Sequence, residues 1–259
     1  NGKTYYGSAE FSVTDDNDFT VTVDGNPVLP ENGRFTLVPD NEQHTVAATD
    51  AAGNAAVITV NVMKLYSVTL PSGAGFTATG ANTAGHGTDY TFKVDIAEGY
   101  SKTGSYRVLV NGSAMDGIMG DETGDTFLLT GVSGSMTITV EGVADITPPA
   151  AEIAVGTNKF SSFMNAITFG LFFKKTQTVT VTASDVGSGL SKAEYLLSET
   201  AFEDKDAIVG NWTELTLTEG TAAFNIEPSR KAYVYLRVTD VSGNITVINS
   251  DGVVVYTDA

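Results

Sequence analysis

Thr49-Asp50-Ala51-Ala52-Gly53-Asn54 and Thr239-Asp240-Val241-Ser242-Gly243-Asn244 are two copies of one turn. Each lies between alternating segments. The first joins Val46-Ala47-Ala48 to Val57-Ile58-Thr59-Val60, and the second joins Val234-Tyr235-Leu236-Arg237-Val238 to Ile245-Thr246-Val247-Ile248. An Asp carboxylate accepts backbone N–H bonds within a tight turn, Gly supplies a positive φ and Asn tolerates one. Asp50, Gly53, Asn54, Asp240, Gly243 and Asn244 are therefore read as structural turn residues. A strand–turn–strand unit that recurs along the chain predicts a modular all-β protein.

Working outward from the first turn, residues 1–64 read as one small sandwich. Its strands are Ser8–Thr14, Phe19–Val23, Arg34–Val38, His44–Thr49 and Ala56–Val62, with the expectation that a first strand is cut off or supplied upstream. Asp24-Gly25 and Asn32-Gly33 between these segments are hairpin signals. Residues 65–145 have a different character. Glycine-rich connections link their strands, and Ala114–Asp125 reads as a flexible loop. Residues 146–259 open on Thr147-Pro148-Pro149, a semi-stiff linker into an edge strand. In this last unit Val234, Leu236 and Val238 should face inward, and Tyr233, Tyr235 and Arg237 outward. Thr200–Val209 is its one helical turn.

The chain of 259 residues carries 31 acidic against 14 basic side chains, a formal charge of -17, with no cysteine. Binding phosphates requires clustered Lys and Arg, so nucleic acid and anionic lipid are excluded as partners. Lys174-Lys175 and Arg230-Lys231 are isolated pairs. Disulfides, thiolate metal sites and cysteine nucleophiles are ruled out. No apolar run approaches the ~20 residues of a membrane helix, so no membrane insertion is expected. The start at Asn1-Gly2 reads as a mature or excised segment.

Thr147-Pro148-Pro149, Ala48-Thr49-Asp50-Ala51-Ala52-Gly53-Asn54 and Asp240–Asn244 resemble bacterial immunoglobulin-like domains of Gram-positive cell-surface proteins. Ser184-Asp185-Val186-Gly187-Ser188-Gly189-Leu190 is similar to that family's early strand-connecting turn. The middle unit resembles a repeat found beside these domains in surface adhesins, through Asp89-Tyr90-Thr91-Phe92-Lys93-Val94 and Ile138-Thr139-Val140-Glu141-Gly142-Val143. The resemblance implies tandem immunoglobulin-like β-sandwiches flanking a smaller β domain. It further implies an extracellular, cell-surface location, attached to the wall through regions outside this segment, and a monomeric adhesin stalk. The alternatives are a binding module for a host glycan, matrix protein or immunoglobulin, and accessory domains of a secreted glycoside hydrolase.

No catalytic motif stands out: His44 and His86 lie in different units, and there is neither a Gly-X-Ser-X-Gly elbow nor a His-Glu-X-X-His pair. His44 is read as half-buried and structural, His86 as a solvated loop residue. The chain is expected not to be an enzyme. Calcium wants six to eight oxygens. Asp15-Asp16-Asn17-Asp18 is the metal candidate, and Gly120–Asp125 is a second acidic loop; neither fits an EF-hand. Otherwise no cofactor is expected. Lys3, Asn61 and Glu10 form one conceivable set for an internal Lys–Asn amide. Trp212 with outward Tyr233 and Tyr235 forms the candidate glycan platform.

Overall fold

The structure is a computed structural model and describes residues 1–257. Among them every regular element is a β-strand except the 3₁₀ turn Lys205–Ala207, the one trace of the expected helical turn. The chain folds as two compact units. One comprises Asn1–Ser72, Thr77–Asp95 and Tyr106–Glu141; the other comprises Gly73–Phe76, Ile96–Ser105 and the residues from Gly142 on.

The chain begins with β1 (Lys3–Tyr6), β2 (Ala9–Phe11), β3 (Phe19–Val23), β4 (Asn26–Val28), β5 (Phe35–Leu37), β6 (Glu42–Asp50) and β7 (Ala55–Met63). One sheet runs β1-β7-β6-β3-β4, with β1 parallel to β7, and β2 pairs with β5 in a second. Alternation sends Val46, Val60 and Val62 inward to meet Ala9, Phe35 and Leu37 from the facing pair. Phe11 stacks on Phe35 with ring centroids 5.2 Å apart. Two strands escape the sequence pattern: β1, which is mostly exposed, and β4, which carries Pro27 on the sheet edge where a missing N–H does no harm.

Next come β8 (Leu65–Thr69), β9 (Ser72–Gly73), β10 (Phe76–Gly80), β11 (Thr83–Gly85), β12 (Tyr90–Ile96), β13 (Tyr100–Val110), β14 (Ser113–Met115), β15 (Met119–Asp121), β16 (Gly124–Leu129) and β17 (Met136–Asp145). They form two five-stranded sheets, β15-β16-β12-β10-β9 and β11-β8-β17-β13-β14. Phe92 and Phe127, paired across β12 and β16, stack at 4.9 Å and are fully buried. Ala114–Asp125 is not the flexible loop its glycines suggest. Met119–Asp121 pairs with Gly124–Thr126, and Asp121 Oδ1 accepts the Thr123 amide at 2.8 Å to close the turn. His86 is half-buried rather than solvated, with its Nδ1 3.2 Å from the Tyr66 hydroxyl.

The last strands are β18 (Ala150–Val155), β19 (Asn158–Phe160), β20 (Phe169–Phe173), β21 (Gln177–Ser184), β22 (Leu190–Ser198), β23 (Thr213–Leu215), β24 (Thr221–Ile226), β25 (Arg230–Asp240), β26 (Ile245–Asn249) and β27 (Gly252–Val255). One sheet is β19-β18-β21-β24 and the other β20-β27-β25-β22-β23, with β26 also on β25. Lettered by chain order, A, B and E face A′, G, F, C and C′, the arrangement of an immunoglobulin-type sandwich. The opening strands repeat it: A′, G, F, C and C′ are β1, β7, β6, β3 and β4, and B and E are β2 and β5. Ile153, Val155, Val179 and Val181 pack against Val234, Leu236, Val238 and Ile248, so the expected inward set is buried.

Tyr233 and Tyr235 do not face solvent as the alternation predicts. They point away from that core, but a second apolar layer covers them. Ile167, Phe163, Met164, Phe169, Phe202 and Trp212 pack there, and the two tyrosines are 7% and 0% exposed. The Tyr235 hydroxyl accepts the Phe202 amide at 2.8 Å, which ties the loop after β22 onto the sheet.

Candidate functional site

The repeated turn places its Asp identically in both sandwiches. Asp50 Oδ1 accepts the Asn54 amide at 2.8 Å and its Oδ2 the Asn54 side chain at 2.7 Å; Asp240 and Asn244 have the same two bonds at the same lengths. Asp50 pairs with Phe19 across to β3, and Asp240 pairs with Leu190 across to β22. The amide after each Asp then bonds the loop joining B to C: Ala51 N to Asp18 O at 3.2 Å, Val241 N to Gly189 O at 2.9 Å. That loop carries Asp15 in the first sandwich and Asp185 in the last. Each caps an Asx turn, Asp15 to the Asn17 amide at 2.8 Å and Asp185 to the Gly187 amide at 3.0 Å.

The two sandwiches differ in what joins this frame. In the last, Asp145 at the end of β17 lies over Gly187, where any side chain would collide with its carboxyl. Asp145 accepts the Thr147 amide at 2.9 Å and the Ser188 amide at 2.7 Å, and its carbonyl accepts the Asn244 side chain at 3.1 Å. The Ser188 hydroxyl, then the Ser188 and Thr147 amides, hold the Asp145 carboxyl below the usual carboxylate range. One oxygen each from Asp145, Asp185 and Asp240 lie within 4.8 Å of one another. Asp145 and Asp240 are 4% and 1% exposed.

The sequence points to other residues. Asp15, Asp16, Asn17 and Asp18 are all exposed, and the carboxylates that converge among the described residues are not theirs. Sequence reasoning misses the grouping of Asp145 and Asp185 with Asp240 because 95 residues separate Asp145 from Asp240, and only the fold brings them together. The repeat of Asp240 was the available signal. Asp121 and Asp125, of the second acidic loop, sit in the β15–β16 hairpin. The Lys3 set is not assembled: Lys3 lies over the Tyr5 ring at 4.7 Å, Glu10 pairs with Arg34 at 3.3 Å, and Asn61 bonds Thr4 and Gln43.

Nor do Trp212, Tyr233 and Tyr235 form an open platform. The tyrosines are buried, and Arg237 covers the Trp212 ring with its guanidinium carbon 4.4 Å from the centroid. Arg237 is held there by two bonds to Glu194, at 2.9 and 2.7 Å, with Lys192 at 2.7 Å on the other oxygen. Burial opposes the charge on Glu194, but Lys192 and Arg237 outweigh it and its pKa is lowered. This is a paired, packed surface network.

No protein-family model and no curated protein sequence matches the chain. Solved structures are similar to it, among them the following three. The eight N-terminal immunoglobulin domains of Down syndrome cell adhesion molecule match all of this chain and 36% of their own, at 11% identity and a TM-score of 0.32. SGBP-B of the Bacteroides ovatus mixed-linkage glucan utilization locus, in complex with mixed-linkage heptasaccharide, matches 99% and 66%, at 10% identity and 0.21. Trypsin-activated alpha-2-macroglobulin from Escherichia coli matches 95% and 22%, at 12% identity and 0.22. The chain thus spans between about a fifth and two thirds of those chains. Scores this low carry nothing about function; the sandwich assignment stands on the strand order above. No helix among the described residues is long and apolar enough to cross a membrane.

Proposed function

We propose that this chain is a non-catalytic, extracellular segment of a bacterial cell-surface protein that spaces and presents other domains. The observation that carries the reading is the duplication: one immunoglobulin-type strand order, closed by one Asp-X-X-Gly-Asn turn, occurs at both ends of the chain. The side chains repeated with most fidelity, Asp50 with Asn54 and Asp240 with Asn244, are spent on holding their own turns. Repetition of scaffold chemistry suits a spacer, because a spacer needs length and stability rather than a reactive centre. A net charge of -17 keeps such a segment from associating with its neighbours.

One feature favours the binding-module reading. Phe172 and Tyr256, 54% and 49% exposed, stack at 6.2 Å on the β20–β27 edge, near Arg230 and Lys231. Exposed aromatic rings on a sheet edge, with Arg230, Lys231 and Glu199 beside them, suit a glycan. A glycan array and a serum pull-down with the whole chain separate the two. The spacer reading expects silence in both. A glycan signal lost in the Phe172→Ala, Tyr256→Ala double variant replaces it with binding.

A further inference from the structure

We infer that Asp145, Asp185 and Asp240 bind one calcium ion. Three acidic residues close together prove nothing alone, and the case rests on what surrounds them. Asp185 Oδ1 is sealed from solvent and accepts no hydrogen bond, although Oδ2 of the same carboxylate accepts the Gly187 and Gly189 amides. A buried carboxylate oxygen left bare is unfavourable until water or a cation completes it, and the carboxylates of Asp145 and Asp240 beside it favour the cation. None of the three carboxylates is in an ion pair with Lys or Arg among the described residues. The nearby donors are amides, the Asn244 side chain and the Ser188 hydroxyl, which orient the oxygens without cancelling their charge.

The donor set selects the ion. Every ligand is oxygen, with no imidazole or thiolate in the cluster, so a hard cation is favoured over zinc. Calcium–oxygen bonds of about 2.3–2.6 Å put opposite ligands about 5 Å apart, which accommodates oxygens up to 4.8 Å from one another. Water and backbone carbonyls fill the rest of its shell. The three ligands sit on the segment leading into β18, the loop from β21 to β22 and the turn from β25 to β26. A bound ion therefore pins three separate stretches of the last sandwich at one end.

The first sandwich is an internal control. It has the same two positions, Asp15 and Asp50, in the same loop and turn, but Asp15 is exposed and no third carboxylate joins them among the described residues. One ion held by the described residues follows. Calorimetric titration of calcium chloride into the chelator-stripped chain should give a single site, with a dissociation constant of roughly 10⁻⁴–10⁻³ M as in extracellular calcium modules. Asp185→Asn should weaken it at least tenfold, and Asp15→Asn should leave it unchanged. Melting of the wild type in 10 mM calcium against chelator should raise the midpoint of the last sandwich by about 5–10 °C, independently of any variant's folding. No heat with an unshifted midpoint overturns the assignment. So does loss of the site in Asp15→Asn, which would return it to the exposed Asp15–Asp18 loop.

Discussion

His44 joins two carboxylates at once: Nδ1 lies 2.7 Å from Asp24 and Nε2 3.1 Å from Asp40. Asp24 also accepts the Thr45 amide and Asp40 the Glu42 amide, so one imidazole ties the β3–β4 turn and the loop before β6 to β6 itself. The hydrogen bond to Asp24, against some desolvation, raises the His44 pKa, and both Asp pKa values are lowered. The raised His44 stabilises fully below its unfolded pKa of about 6.5 and is lost as pH rises through the folded value. The lowered Asp24 and Asp40 contribute above about 3.9 and are lost as pH falls through their folded values. Melting of the first sandwich should therefore be highest between about pH 4 and 6.5 and decline above it. His44→Gln should flatten the alkaline side; an unchanged decline in that variant would remove the latch.

Also at the residue scale, Gly53 and Gly243 both have φ of 90°, and a Cβ at either would meet nothing. The penalty for a side chain is then conformational alone. Gly53→Ala and Gly243→Ala should each destabilise their sandwich by about 1–2 kcal/mol, nearly equally, since the bonds within the two turns match and the penalty is local to φ. Chemical denaturation of the two variants reads this, and a marked inequality would mean that the bonds from Asn244 to Asp145 and from Ser242 to Ser188 make the second turn less tolerant than the first. These residues were legible in the sequence because the φ > 0 requirement is local. The latch was not: Asp24 lies 20 residues from His44, on another strand's turn.

At the scale of elements, β25 shows where periodicity stops being informative. Alternation assigns Val234, Leu236 and Val238 to one face and Tyr233 and Tyr235 to the other, and this is what the strand does. It cannot say whether the other face is wet. Residues 161–168 and 199–212 fold over it, and Tyr235 becomes wholly buried with its hydroxyl accepting the Phe202 amide. Tyr235→Phe would leave that amide without its partner at small change in volume and should destabilise the chain by about 1–3 kcal/mol, read from denaturant midpoints. A neutral result would mean that water replaces the hydroxyl and that this layer is looser than its packing implies. The short edge strands β1, β4, β14, β15 and β19 escaped the sequence for a related reason. Pairing on one side only demands little alternation, and backbone partners rather than side chains define them.

Across the whole molecule, the turn repeat determined in advance that the protein is all-β and that its ends share one frame. Turn chemistry and a two-residue period are written locally, in neighbours a few positions apart, so Asp50–Asn54 and Asp240–Asn244 could be read without a structure. The strand-order equivalence, the second layer over Tyr233 and Tyr235, and the meeting of Asp145, Asp185 and Asp240 were decided only in three dimensions. Each depends on contacts between segments far apart in the chain, from 33 residues for the Phe202–Tyr235 bond to 95 for Asp145 with Asp240. The sequence supplies the acids and the aromatics; which of them lose water, and which carboxylates share one small volume, is set by how the strands pack.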